Sequence, residues 1–186
     1  LMSGAPGIEL STWRGLGGLL AKIDLALVGF EHEAADRELR WDLACAAWTV
    51  GASKLIQNPR SRALVEALQV QFLGQVARRW EELPKGWIHN DPNDQNLVIS
   101  RAGSAAPRVS GIFDFGDIVH SARIFELAVA CAYGIFGVKA PLQVMGELCA
   151  GYDAHAPLLD VEFDSLLAAT AMRLVQSVTI AAQDTQ

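Results

Sequence analysis

The apolar residues of this chain change period twice, and that change limits the folds open to it. From Trp13 onward, Leu16, Leu19, Leu20, Ile23 and Leu27 recur at the spacing of one helix face. Ser11 stands where an N-cap belongs, and Gly29 closes the segment. A second helix is expected from Asp42 to about Val50, stopped by Gly51. Pro59 opens a third, in which Leu64, Leu68, Phe72, Val76 and Trp80 follow at steps of four until Pro84 ends it. Then the period shortens. Trp87-Ile88-His89, Asn96 to Ser100 and Arg108 to Phe115 read as short strands, with a turn-rich connection from Gly103 to Pro107 between the last two. Helical spacing returns after Ser121, over about 122–137, 141–153 and 161–182. The expectation is an α+β fold, mostly α, with a small β element set between two helical halves.

Composition removes several function classes. Hydrophobic residues make up 51% and charged residues 19%, which suits a folded chain with a sizeable core and excludes a disordered one. Fifteen Lys and Arg against 21 Asp and Glu give a formal charge of −6, so no basic excess exists to neutralise phosphates and no nucleic-acid partner is expected. The longest apolar stretches, Phe125 to Val138 and Leu166 to Ala182, are interrupted by Glu126 and Arg173. They read as buried core helices, and no membrane partner is expected. Three widely spaced cysteines, Cys45, Cys131 and Cys149, read as reduced thiols of a cytoplasmic protein.

Chemistry-bearing residues concentrate in the β element. His89 to Asn96 fits H-x-D-x-x-x-x-N, and eighteen residues after Asn96 comes Asp114-Phe115-Gly116, followed by Asp117. Together, in that order and spacing, these segments match the catalytic arrangement of kinases; either alone would be a weak signal. Phosphoryl transfer asks a protein to position the acceptor and to neutralise charge, so a small set of oxygen ligands and one well-placed carboxylate suffice. Magnesium keeps waters and takes phosphate oxygens, so one carboxylate and one amide from the protein are enough.

These motifs resemble those of the aminoglycoside phosphotransferase and choline kinase family, whose members read H-G-D-x-x-x-x-N and then I-D-F-G-D. The corresponding segments here are His89 to Asn96 and Ile112 to Asp117. Gly4-Ala5-Pro6-Gly7 resembles the segment after the hinge between lobes, and Phe125-Glu126-Leu127-Ala128 resembles the D-L-A that follows the metal motif. The Asn93-Asp94-x-Asn96 wording is similar to the hydroxylysine-kinase-like branch.

The resemblance implies a kinase-like C-lobe with a small β-hairpin carrying the motifs. Residues 1–86 would form one helical part, 87–117 the catalytic loop and metal-binding β element, and 118–186 a second helical part. It implies ATP as co-substrate, magnesium as cofactor and the hydroxyl of a small, amine-bearing and so cationic molecule as acceptor. Asp91 becomes the catalytic base, His89 a support for its loop, Asn96 and Asp114 the magnesium and nucleotide ligands, and Asp117 and Glu126 supporting residues. Asn90 stands for the usual Gly, which asks for a less strained backbone there; Pro92 stands for Leu and Glu126 for Asp. The family's N-lobe, with its sheet, phosphate-covering loop and lysine, has no counterpart before Asp91, and Lys22 and Lys54 lie in or beside helices. The chain also does not begin with Met. It therefore reads as the C-lobe of a longer protein, inactive when isolated from its missing N-terminal lobe.

Plainer readings stand beside these. A non-catalytic kinase remnant serving as a binding or scaffolding module would not need Asp91, Asn96 and Asp114 together, and a metal-dependent phosphohydrolase would not need D-F-G. Asp117 is either a neighbour of the metal site or a cap for the helix at 122. Trp41-Asp42 either packs or holds a cationic amine. Asp153, Asp160, Glu162 and Asp164 either line a site for a cation or solvate a helix start. His32, His120 and His155 lack metal-ligand spacing.

Overall fold

A computed structural model describes residues 9–33, 37–101 and 107–185. The first helix, α1, runs Leu10–Ala26 and buries Trp13, Leu16 and Leu20. It starts one residue before Ser11, whose hydroxyl instead faces the Glu9 carboxylate at 3.4 Å. The helix expected from Asp42 is broken: Asp42 caps a short 3-10 turn, Leu43–Cys45, and the α-helix α2 covers only Trp48–Ala52. In α3, Pro59–Gln75, Asn58 caps the N-terminus through the amides of Arg60 and Ser61. The expected helix does not run on to Leu83. It gives way at Val76 to a kinked 3-10 segment, Ala77–Glu82, which places Trp80 against Phe125 at 6.0 Å between ring centroids. The buried face of α3 is Val65, Gln69 and Phe72, and Leu64 is 61% exposed, so steps of four drifted off the true stripe.

The β residues form two antiparallel ribbons. β1 (Lys85–Ile88) pairs with β4 (Val119–Ala122), matching Ile88 with Val119. β2 (Leu97–Ser100) pairs with β3 (Arg108–Ile112), with a register shift between Val98 and Ile99. The second ribbon is the expected hairpin. The first was not expected, because Val119 to Ala122 merges in sequence with the helix that follows. The turn at 103–107 and the segment Gly4 to Gly7 lie outside the described residues, apart from Pro107.

Three helices complete the body: α4 (Ile124–Gly134), α5 (Pro141–Asp153) and α6 (Asp160–Asp184). α4 is apolar on nearly every side and is buried almost throughout, as a helix walled in by neighbours must be. α6 is long and apolar enough, by length and composition, to cross a membrane. In this fold 56% of that stretch is buried against the rest of the protein, chiefly α4 and α3. α1 and α5 cross at glycines: a Cβ added at Gly17 would stand 2.0 Å from the Leu148 carbonyl oxygen, and one at Gly151 2.0 Å from that of Arg14. Only backbone meets backbone there, which fixes the spacing of the two helices.

Candidate active site

The two motif loops are the two links between the ribbons. One leaves β1, carries His89 to Asn96 and enters β2; the other leaves β3, carries Asp114 to Asp117 and enters β4. They therefore cross the same gap, and residues far apart in sequence meet in it.

His89 ties the loops together. Its ring is buried, with Nε2 3.0 Å from the Phe113 carbonyl and Nδ1 accepting the Asp91 amide N–H at 3.3 Å. Nδ1 as acceptor leaves the proton on Nε2, so the ring is the neutral Nε2–H tautomer. Burial lowers its pKa, against the opposing pull of the Phe113 carbonyl and the nearby carboxylates of Asp91, Asp114 and Asp117. The Phe115 ring covers it at 4.6 Å.

Asp91 is gripped on both oxygens. Oδ2 accepts from the side-chain amides of Asn93 at 2.7 Å and Asn96 at 2.8 Å. Oδ1 lies 3.4 Å from an Arg173 guanidinium nitrogen. Burial raises the Asp91 pKa, while the Asn93 bond and the Arg173 charge oppose the rise. The Asn96 NH2 also reaches the Asp91 carbonyl at 3.0 Å, and the Phe113 N–H donates to the Asn96 carbonyl at 3.0 Å. With its nitrogen committed to Asp91, Asn96 has its amide oxygen left as the group for a cation.

Asp114 opens a tight turn. Its φ is +63°, and its Oδ1 accepts the Gly116 amide at 3.2 Å. The exposed carboxylate and the Asn96 amide oxygen are a donor pair of the kind magnesium takes when phosphates and waters complete its shell. Among the described residues, no three His, Cys, Asp or Glu side chains converge into a protein-only metal cage. Asp117 follows in the same turn and acts electrostatically on both His89 and Asp91. It caps no helix: β4 intervenes, and Arg123 occupies the N-cap of α4. Arg37 clamps the turn from outside, donating to the Gly116 carbonyl at 2.9 Å and closely to that of Ile118.

Glu126, in the first turn of α4, bonds the loop that carries His89 to Asn96. Its Oε2 accepts the Asn90 N–H at 2.9 Å, while Oε1 has no hydrogen-bond partner among the described residues. Burial pushes its pKa up to about 7, against backbone hydrogen bonds from Asn90 and His89. Asn90 has not relaxed the backbone: its φ is +65°, in the left-handed region that a glycine enters without steric cost. Asn tolerates that region better than other L residues do. Its side-chain O and N are both buried without a partner.

Other expected residues stand away from this centre. Asp42 is buried, accepting from the Ala44 N–H at 3.0 Å and the Ser121 hydroxyl at 2.8 Å, and the Trp41 ring is covered at 4.5 Å by Arg173. Trp41 thus meets the chain's own cation, while the Asp42 carboxylate is used by the Ala44 N–H and the Ser121 hydroxyl. Glu162 is buried in an ion pair with Arg123 at 2.7 Å, Asp164 pairs with Arg79 at 3.1 Å, and Asp153 accepts the Leu158 N–H at 2.9 Å. These three acidic residues are structural. The two arginines at the site, Arg37 and Arg173, were missed as site residues. Arg173 did leave a signal, a lone charge in an apolar helix, which burial obliges to find a partner.

A helical body carrying two short ribbons, linked by an H-x-D-x-x-x-x-N loop and a D-F-G turn, is the architecture of the kinase-like phosphotransferases. The chain belongs to the phosphotransferase enzyme family, whose model matches residues 1–160. It is 31% identical over 179 residues to hydroxylysine kinase of Bos taurus, covering 92% of this chain and 48% of that protein. With hydroxylysine kinase of Danio rerio it shares 33% over 170 residues, 89% of this chain and 48% of the relative. The chain thus spans about half the length of these curated relatives. In fold it is similar to a microcompartment-associated aminopropanol kinase, with a TM-score of 0.64 at 15% identity, over 97% of this chain and 63% of that one.

Proposed function

We propose that this chain is the acceptor- and magnesium-binding lobe of an ATP-dependent small-molecule kinase. The observation that carries the reading is the His89 bridge, which makes one site of Asp91 and the Asp114 turn. In this site Asp91 orients the acceptor hydroxyl and takes up its proton as the oxygen attacks the γ-phosphorus and the bond from that phosphorus to the bridging oxygen breaks, releasing ADP. His89, neutral and buried, carries no proton in the reaction and keeps the two loops in register. Asn96 and Asp114 would hold magnesium, which supplies neutralisation of the phosphate oxygens when bound. Glu126 and Asp117 support the loops electrostatically.

The similarity to hydroxylysine kinases supports an amine-bearing alcohol as acceptor. The described residues include no strand-rich sheet with a phosphate-covering loop and lysine, and the chain is about half the length of its relatives. Those parts are assigned to an N-lobe outside this chain, and the free thiols Cys45, Cys131 and Cys149 support a cytoplasmic protein.

The test is Asp114→Asn in the complete protein, assayed by ADP release with magnesium, ATP and a panel of amino alcohols headed by hydroxylysine. Loss of at least about 100-fold in turnover with folding retained is expected. Unchanged turnover, or no acceptor for the unaltered protein, favours the remnant module instead.

A further inference from the structure

Arg173 is the charge that interrupts the apolar run of α6, and it is 2% exposed. A buried guanidinium costs several kcal/mol unless its donors and charge are matched. Its matches are few and specific. One terminal nitrogen donates to the Trp41 carbonyl at 2.7 Å; the other reaches Asp91 Oδ1 and the Tyr133 hydroxyl, each at 3.4 Å. The group lies 4.5 Å over the Trp41 ring and 5.7 Å from that of Tyr133, and its Nε has no partner among the described residues. Its charge also acts on Asp42 and Glu126, but Asp91 is the carboxylate within ion-pair distance.

The geometry divides Asp91 into two ends. Oδ2 is held by amides of its own loop, which can move only with that loop. Oδ1 is approached from α6, by a side chain that the Trp41 carbonyl and ring already immobilise. The loop's carboxylate is thereby referenced to the helical body. At 3.4 Å the contact is longer than the 2.7–2.9 Å usual for a charge-assisted hydrogen bond, so it orients Oδ1 without using up its capacity to accept a hydroxyl. We infer that Arg173 is a positioning residue for phosphoryl transfer, acting through Asp91 and touching neither substrate. This rests on the role proposed above for Asp91.

A misplacement of about 1 Å at a reacting group can cost about 100-fold in rate. In the complete protein, Arg173→Gln is expected to lower kcat at least about tenfold while leaving KM for ATP and for the acceptor within about twofold, as fits a group felt only in the transition state. Millimolar guanidinium is expected to restore part of the kcat of Arg173→Ala. Arg173→Lys keeps the charge, but an ammonium cannot span from the Trp41 carbonyl to Asp91. It serves where the Gln variant does not fold, with an expected loss of at least about fivefold in kcat. Folded variants with full kcat, or losses shared equally by kcat and both KM values without rescue, overturn the inference. A readout free of turnover is the urea stability of Arg173→Gln, Asp91→Asn and the double variant. Non-additive losses are expected, and additive losses overturn the coupling. If Asp91→Asn keeps its turnover, the role of Asp91 fails; if Asp91→Asn is inactive and Arg173→Gln is not, the role of Arg173 alone fails.

Discussion

Replacing Glu126 by Gln tests whether a buried carboxyl under the catalytic loop sets part of the pH dependence of stability. Burial raises the Glu126 pKa from 4.5 to about 7. Between those values the folded protein holds a proton that the unfolded chain has released. By linkage, stability then falls as the pH rises. The contribution is complete below about pH 4.5 and gone once the pH has passed through about 7. At about 1.4 kcal/mol for each pH unit, the interval from 4.5 to about 7 amounts to about 3 kcal/mol. Gln does not titrate. Its carbonyl can still accept the Asn90 N–H, and its NH2 takes the place of the oxygen that now has no partner. Asp24 is pushed up to about 9 mainly by burial and secondly by the charge of Glu126, so only the burial part is common to both proteins. Urea unfolding of both at several values from about pH 4.5 to about pH 8 should show the variant gaining on the parent by about 3 kcal/mol as the pH rises, with little further gain above about pH 7.5. A difference that stays constant across that range refutes the reasoning, since Glu126 would then carry the same charge folded and unfolded.

Two further outcomes follow from the geometry. Gly17→Ala puts a Cβ 2.0 Å from the Leu148 carbonyl oxygen, so α1 and α5 must separate. A loss of at least about 2 kcal/mol in urea unfolding is expected, and a loss under about 0.5 kcal/mol refutes the close crossing. His89→Ala removes the bridge between the loops and should lower kcat of the complete protein about 100-fold, while an unchanged kcat shows that the loops hold their register without it.

The two motif loops were legible because they are local: each motif sets residues a few positions apart on one short segment, and their order alone suggested that they meet. The helical halves were legible through their period, though only as far as period reaches. Leu64 and Leu68 keep step with Phe72, yet the true stripe passes through Val65 and Gln69, because Gln69 is buried by bonding Thr49 and so counts as polar in the sequence while lying inward in the fold. β4 was hidden by a different cause. Four residues paired to a strand more than thirty positions earlier have no local signature when an apolar helix follows at once. Asn90 shows how a substitution can mislead: the change from Gly suggested relaxation, but the Glu126 bond to its N–H and the close packing of the loop hold it at φ +65° all the same. Arg173 was visible as an anomaly, and the rule that a buried charge needs a partner could have been applied to it. Candidate carboxylates were plentiful, since Asp42, Asp91, Asp114, Asp117 and Glu126 all belong to segments that could meet α6. Only the packing of α6 against α4 and the loop between α1 and α2 selects Asp91. The geometry of this candidate site was therefore readable where it is sequential, and hidden where a helix from the far end of the chain brings Arg173 to Asp91.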